Sequence, residues 1–283
     1  MRNLATESMP IRASNLPNIF ACPNSFLHKT MTDGMEPGGD AAQTGSIVHA
    51  GIAEWEANGK SLAAIQLMNK VHKKDYPQGD IAEAIRLYQK YVERSKSDQK
   101  GKTKFVEKKL KFLYPCSKID ETKEPLVIMG TVDLVKELTD SYNIVDHKSG
   151  RMYGDQMVMS YSPQIAAYVY GAWENLLNKT KRPIKGYITR LQDLVRRDLP
   201  FYWDTHIDLD RAVHILDSVA HRIALLRMGI IDSTPGKYCD WCGMAEYATK
   251  DSCIEGNKRV ALQIAKPTAP AKMLGSLTDL LKR

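Results

Sequence analysis

The stretch Gly130–Gly150, GTVDLVKELTDSYNIVDHKSG, decides how this chain folds. Val, Ile and Leu crowd both halves, from the preceding LVIM to YNIVDHK, and Thr-Asp-Ser between them is turn chemistry. The stretch therefore predicts two strands joined by a tight hairpin. With Thr139 and Asp140 at the turn centre, the register sets Asp133 directly opposite Asp146. Facing residues lie about 4.5 to 5.5 Å apart at Cβ, and two carboxylates so placed repel unless a cation lies between them. A divalent ion is the natural occupant. Asp146 and Lys148 are two apart and share one face of their strand, a metal acceptor beside a cationic donor. Such a set handles phosphate: the ion grips phosphate and water, while the lysine orients water or neutralises developing charge. Taken alone, the hairpin fits a surface element with scattered charges equally well, because Asp and Lys are mostly surface residues.

The 283 residues and 43% hydrophobic content suit one large domain or two small ones with a real core. A net charge of +7 favours a polyanionic partner. No apolar run approaches the roughly 20 residues that span a bilayer, and MRNLATESMPIRASNLPNIF has no signal-peptide apolar region. The expectation is a soluble, cytoplasmic protein with no membrane partner. Five cysteines in a reducing compartment point to metal or cluster ligation rather than disulfides. No phosphate-binding loop ending in Gly-Lys-Ser/Thr occurs, so ATP-driven translocation is not expected.

Upstream of the hairpin, SNLPNIFACPNSFLHKT reads as a helix edge carrying Cys22, and the Gly-rich TDGMEPGGDAAQTG as a loop. Thr44 is placed to cap the helix GSIVHAGIAEWEA, where His49 sits among Ile47, Val48, Ile52 and Trp55. Two more helices are expected at SLAAIQLMNKVHKK and DIAEAIRLYQKYVERSK, the second capped by Asp80, and FVEKKLKFLY alternates as a strand. Downstream, YGDQMVMSYSPQIAAYVYGAWENLLN is amphipathic, with Pro163 marking a first turn or a kink, and Gln164 and Tyr168 share a face. PIKGYITRLQDL and DLPFYWDTHI read as outer strands, and DLDRAVHILDSVAHRIALLRMG as a capped helix. Arg190, Arg196 and Arg197, near Tyr187 and Tyr202, offer the cations and aromatic faces on which single strands stack.

The cysteines give a second signal. Cys239 and Cys242 form a C-x-x-C, Cys253 follows, and Cys22 waits near the other end of the chain. A C-x-x-C brings two thiolates to one metal, and the other ligands come from elsewhere. Cys116 reads as a buried thiol at a strand end. After AKPTAPAK, a Pro/Ala tether, MLGSLTDLLKR gathers Met273, Leu274, Leu277, Leu280 and Leu281 near one helical face. That tail fits a docking peptide or a solvated end.

In this order, ACPNSF with Cys22, GSIVHAG with His49, GTVDLV with Asp133, VDHKSG with Asp146 and Lys148, QIAAY with Gln164 and Tyr168, and the C-terminal cysteine trio resemble one family. It is the RecB-like branch of the PD-(D/E)XK nuclease superfamily, in particular its iron-sulfur members, such as the AddB-type recombination nucleases and the CRISPR-associated adaptation nucleases. The resemblance runs from about Cys22 to Cys253. It implies an α/β fold, a restriction-endonuclease-like central mixed sheet flanked by helices, over residues 1–258, and does not account for the linker and tail at 259–283. It also implies that His49, Asp133, Asp146 and the His147 carbonyl bind Mg²⁺ or Mn²⁺, and that Lys148 positions water and offsets charge. Gln164 and Tyr168 would steady the site and contact DNA, and Glu107 stands where some relatives carry an extra acid. Cys22, Cys239, Cys242 and Cys253 would hold a 4Fe-4S cluster that caps the fold and joins its terminal segments. The implied function is a metal-dependent DNA exonuclease processing ends for recombination or repair. A single-strand annealing protein, a sliding clamp or a helicase is then the expected partner of the tail. Two alternatives stay open: an adaptation-like or structure-specific endonuclease, and an inactive DNA-binding scaffold with a zinc or iron-sulfur module.

Overall fold

Strand β3 (Leu126–Glu137) carries the rest of the sheet in the computed structural model, which describes residues 4–23, 26, 40–59, 78–98, 101–150, 160–195, 201–202 and 206–230. The expected hairpin is present: β3 pairs antiparallel with β4 (Tyr142–Lys148) from Glu137↔Tyr142 to Leu134↔Val145. The Leu138 N–H donates to the Ser141 carbonyl at 2.9 Å, leaving Thr139 and Asp140 at the turn. On its other edge β3 is covered end to end by β2 (Lys102–Tyr114), from Lys102↔Glu137 to Tyr114↔Leu126. Strand β1 (Ile11–Arg12) joins in parallel at Ile128 and Met129. A strand has two edges, so β1 and β4 share one edge of β3 at different heights. Residues 130–133 lie between them, and among the described residues no strand pairs with them on that side. Beyond β4 come β5 (Ile184–Arg190), parallel to it, and β6 (Ile207–Asp208), antiparallel to β5. The whole is a six-stranded mixed sheet.

Helices flank it: α1 (Leu16–Ala21), α2 (Asp40–Asn58), α3 (Gln78–Asp98), α4 (Ser162–Asn175), the single turn α5 (Leu191–Leu194) and α6 (Leu209–Arg227). Helix α4 seats closely on the sheet because two glycines make room. A Cβ on Gly171 would fall 2.7 Å from the Phe112 ring, and one on Gly186 would run into Ile165 and Val169. The main core gathers Val135, Ile144 and Ile188 of the sheet with Ile165 and Val169 of α4 and Leu216 and Ile223 of α6. A second cluster joins Ile47, Val48 and Ile52 of α2 to Leu87, Tyr88 and Tyr91 of α3. Neighbouring residues on a strand face opposite ways. Val135 belongs to the main core while Lys136 pairs with Glu56 of α2, so α2 and α3 cover the other face.

Several local expectations change. Helix α2 starts at Asp40, so Thr44 lies inside it, not at its cap; Ala41, Ala42 and Gln43 are strong helix formers that extend the helix into the supposed loop. Likewise α3 starts at Gln78, and Asp80 falls within its first turn. PIKGYITRLQDL is not an outer strand: β5 lies between β4 and β6, and LQDL coils into α5. Of DLPFYWDTHI, only Ile207 within the described residues belongs to a strand. Pro163 occupies the first turn of α4, where its missing N–H is harmless, and Asp208 caps α6 by accepting from the Arg211 N–H at 2.9 Å. The helix expected at 61–74, Cys239, Cys242, Cys253 and the tail at 259–283 lie outside the described residues. Among the described helices none is long and apolar enough to cross a membrane.

Candidate metal-dependent active site

The gap along β3 is where the polar residues of the hairpin collect. One step beyond Leu134↔Val145, the same register sets Asp133 level with Asp146, as the turn chemistry predicts. There the strands part. The His147 N–H donates to Asp133 Oδ2 at 2.7 Å instead of continuing the ladder, and both aspartates are buried. Helix α2 brings His49 to the same point. Its Nδ1 lies 3.5 Å from Asp133 Oδ2 and 3.9 Å from Glu107 Oε1, and its Nε2 lies 3.0 Å from the His147 carbonyl oxygen.

Glu107 comes from β2. It falls between the pairs Val106↔Leu134 and Lys108↔Val132, hence opposite Asp133. Its φ of +46° is left-handed, which costs a side-chain-bearing residue about 1 to 2 kcal/mol. One ligand atom each from His49, Glu107 and Asp133 lie within 4.8 Å of one another. Asp146 stands beside this trio, held by other partners. Lys148 Nζ is 2.9 Å from Asp146 Oδ2, and Gln164 Nε2 donates to Asp146 Oδ1 at 3.1 Å. Gln164 also accepts from Lys148 Nζ at 2.9 Å and meets the Tyr168 hydroxyl at 3.0 Å, while the ammonium sits 4.6 Å over the Tyr161 ring.

Charge in this cluster is unbalanced toward carboxylates. Burial pushes the Asp146 carboxyl up to about 6, a rise that Lys148 opposes and Asp133 reinforces. Burial would raise Asp133 too, but the His49 charge outweighs it and holds that carboxyl at about 2. Burial alone would lower His49, yet Asp133, Glu107 and Asp146 together raise it to about 10. The imidazolium thus stands where a cation is demanded. Lys148 is raised because Asp146 outweighs its burial. The His147 ring differs: burial lowers it to about 4, so it is neutral, packed edge-on 5.1 Å from Tyr91. Its main-chain N–H and carbonyl meet Asp133 and His49, and its ring packs edge-on 6.0 Å from the His49 ring.

A family model described as the PD-(D/E)XK nuclease superfamily matches residues 13–247. The chain belongs to that superfamily. No curated protein matches it. A solved structure described as "Crystal structure of SSO0001" aligns over 72% of this chain and 84% of its own, at 10% identity and a TM-score of 0.36. Superfamily membership accords with the mixed sheet flanked by helices and points to metal-dependent nuclease chemistry.

The donor set of this superfamily member fits the ion such chemistry needs. Two or three carboxylates and a backbone carbonyl are hard oxygen donors, and with the borderline imidazole of His49 they suit a divalent cation. Arg190, expected to touch DNA, is the cross-strand partner of Lys148 on β5, with its guanidinium 2.8 Å from Asp193, and Tyr187 and Tyr202 stack on each other at 5.0 Å. Arg196 and Arg197 lie outside the described residues. Cys22 is a partly buried free thiol just past α1, and Cys116 a partly buried one beyond β2. Sequence reasoning missed the network under the site. Lys136 Nζ lies 2.6 Å from Glu56 Oε2, and Glu56 also accepts from Tyr91 and Thr103 at 2.9 and 2.7 Å. A lysine inside an apolar strand run was the available signal.

Proposed function

We propose that this chain is a Mg²⁺- or Mn²⁺-dependent deoxyribonuclease, and specifically an exonuclease that processes DNA ends for recombination or repair. The observation that carries the reading is the trio His49, Glu107 and Asp133 gathered beside the Lys148-bound Asp146 in the gap of the sheet. A bound ion supplies a water of lowered pKa and polarises the scissile phosphate. His49, Asp133, Asp146 and the His147 carbonyl hold it, with Glu107 as a further ligand. Lys148 donates to the water or to the oxygens on which charge develops in the transition state. Gln164 keeps Lys148 and Asp146 in line by bonding both, and Tyr168 fixes Gln164.

We also read Cys22, Cys239, Cys242 and Cys253 as ligands of a 4Fe-4S cluster that pins the terminal segments together. The spacing of the cysteines supports it, and iron and sulfide analysis of anaerobically purified protein tests it. The test of the nuclease reading is cleavage of end-labelled linear DNA, single- and double-stranded, with Mg²⁺ or Mn²⁺, beside the Asp146→Ala variant. Metal-dependent shortening from one end that vanishes in the variant is expected. Internal cuts in uniformly labelled circles would replace exonuclease with endonuclease, and DNA binding without cleavage would leave a scaffold.

A further inference from the structure

Beyond Tyr168 the surface dips into a cleft of about 590 Å³ lined by Arg12, Ser14, Lys109, Lys111, Thr131 and Tyr168. Its position follows from the ladder. Lys111 and Arg12 both pair with Met129, from opposite edges of β3, and Lys109 pairs with Thr131, two residues nearer the Glu107 and Asp133 pair. On β2 the lysines alternate with Leu110 and Phe112, which turn into the core. Among the described residues no carboxylate lines the cleft. Lys111 meets Glu7, but Arg12 and Lys109 make no ion pair among the described residues. A lone surface cation is simply solvated; here three converge on one concavity that shares Tyr168 with the active site.

We propose that this cleft is the track for the phosphodiester backbone of a DNA strand beside the cutting site, an inference that rests on the nuclease reading. Lys109 and Lys111 lie two and four residues along β2 from Glu107, so their attachment points fall about 7 and 13 Å away. That spacing is close to one phosphate and the next along an extended strand. Arg12 closes the track from β1, and the Ser14 and Thr131 hydroxyls donate to phosphate oxygens. Tyr168, which lines the cleft, bonds Gln164, and Gln164 bonds Asp146, so the track ends at the aligned carboxylate.

Equilibrium binding of a fluorescent single-stranded oligonucleotide tests this, measured against salt in the Asp146→Ala background so that nothing is cut. Each lost phosphate contact lowers the slope of log affinity against log salt by about 0.7 for a single strand. Adding Arg12→Ala and Lys109→Ala together should lower it by about 1.4 and weaken binding at low salt. Lys181→Ala, in the exposed loop ahead of β5, loses one charge and should keep the slope. An unchanged slope in the double variant, or an equal fall in the Lys181 control, overturns the track. Cleavage by the otherwise unaltered protein is read in parallel. If it never cuts while the slope still falls, the nuclease reading fails and the cleft stands as a nucleic-acid site.

Discussion

Glu107 shows most clearly what a single residue contributes. Its left-handed backbone is strained within a strand, and strain of this kind persists where the surroundings over-determine it. Glu107→Gly should therefore leave the metal-free melting temperature unchanged or raise it, while Mn²⁺ binding by calorimetry weakens. A variant that melts lower and binds Mn²⁺ as well as the parent would count against Glu107 as a ligand. Lys148 belongs to a different part of the chemistry. Lys148→Met should slow single-turnover cleavage roughly a hundredfold or more while Mn²⁺ affinity changes little, because the ammonium acts on water and phosphate, not on the ion. Much of this site was legible from the sequence. Asp133, Asp146 and Lys148 follow from turn residues and a two-residue period, since a hairpin turn fixes register. Glu107 came only from the family resemblance: a period of two cannot show that one residue of a strand has φ reversed.

At the scale of elements, what the sequence could not show is burial of charge. Arg227, at the end of α6, bonds the Leu4 and Ala5 carbonyls and Asp120, closing the N-terminal segment onto the last described helix. Both Arg227 and Asp120 side chains are fully buried. Burial pushes the Asp120 carboxyl up, but the Thr122 hydrogen bonds and the Arg227 guanidinium outweigh it and hold it below its ordinary value. A depressed carboxylate stabilises the fold above its unfolded pKa of about 3.9 and loses that contribution as pH falls through the lower folded value. Asp120→Asn, which leaves Arg227 unpaired, should cost about 3 to 5 kcal/mol at neutral pH by denaturant unfolding. The gap from the parent should narrow below about pH 3.9; a gap independent of pH would exclude the ion pair as its source. The elements themselves divide in a similar way. The β3–β4 hairpin and α6 carried punctuation, Thr-Asp-Ser in one and the Asp208 cap in the other. The start of α2 did not, because the Gly-rich stretch before Asp40 reads as loop and hides the helix formers Ala41, Ala42 and Gln43 that follow it. Strand β5 read as an edge because an apolar run looks alike whether one neighbour or two pair with it.

For the molecule as a whole, the order of motifs was the readable quantity, and the matched span of 13–247 covers the helices and strands that build the site. The Pro/Ala tether and the peptide after it fall beyond that span. Deleting residues 266–283 should leave cleavage of naked DNA unchanged and reduce co-purification with a partner protein; lost cleavage would place the tail within the catalytic machinery. The gap that β1 and β4 leave on one edge of β3 was beyond the reach of sequence, because β1 is only two residues long and pairs with a strand more than a hundred residues away. Yet that gap opens the sheet at Asp133 and sets His49 against the β4 backbone.

The most direct measurement is the initial rate of DNA cleavage as a function of Mn²⁺ concentration, for the parent chain and for Asp133→Asn. A metal centre of several kcal/mol predicts a saturable rise in the parent, abolished by chelator, and a fall of roughly a hundredfold or more in the variant. Cleavage that persists in chelator, or a variant that cuts as fast as the parent, would contradict it.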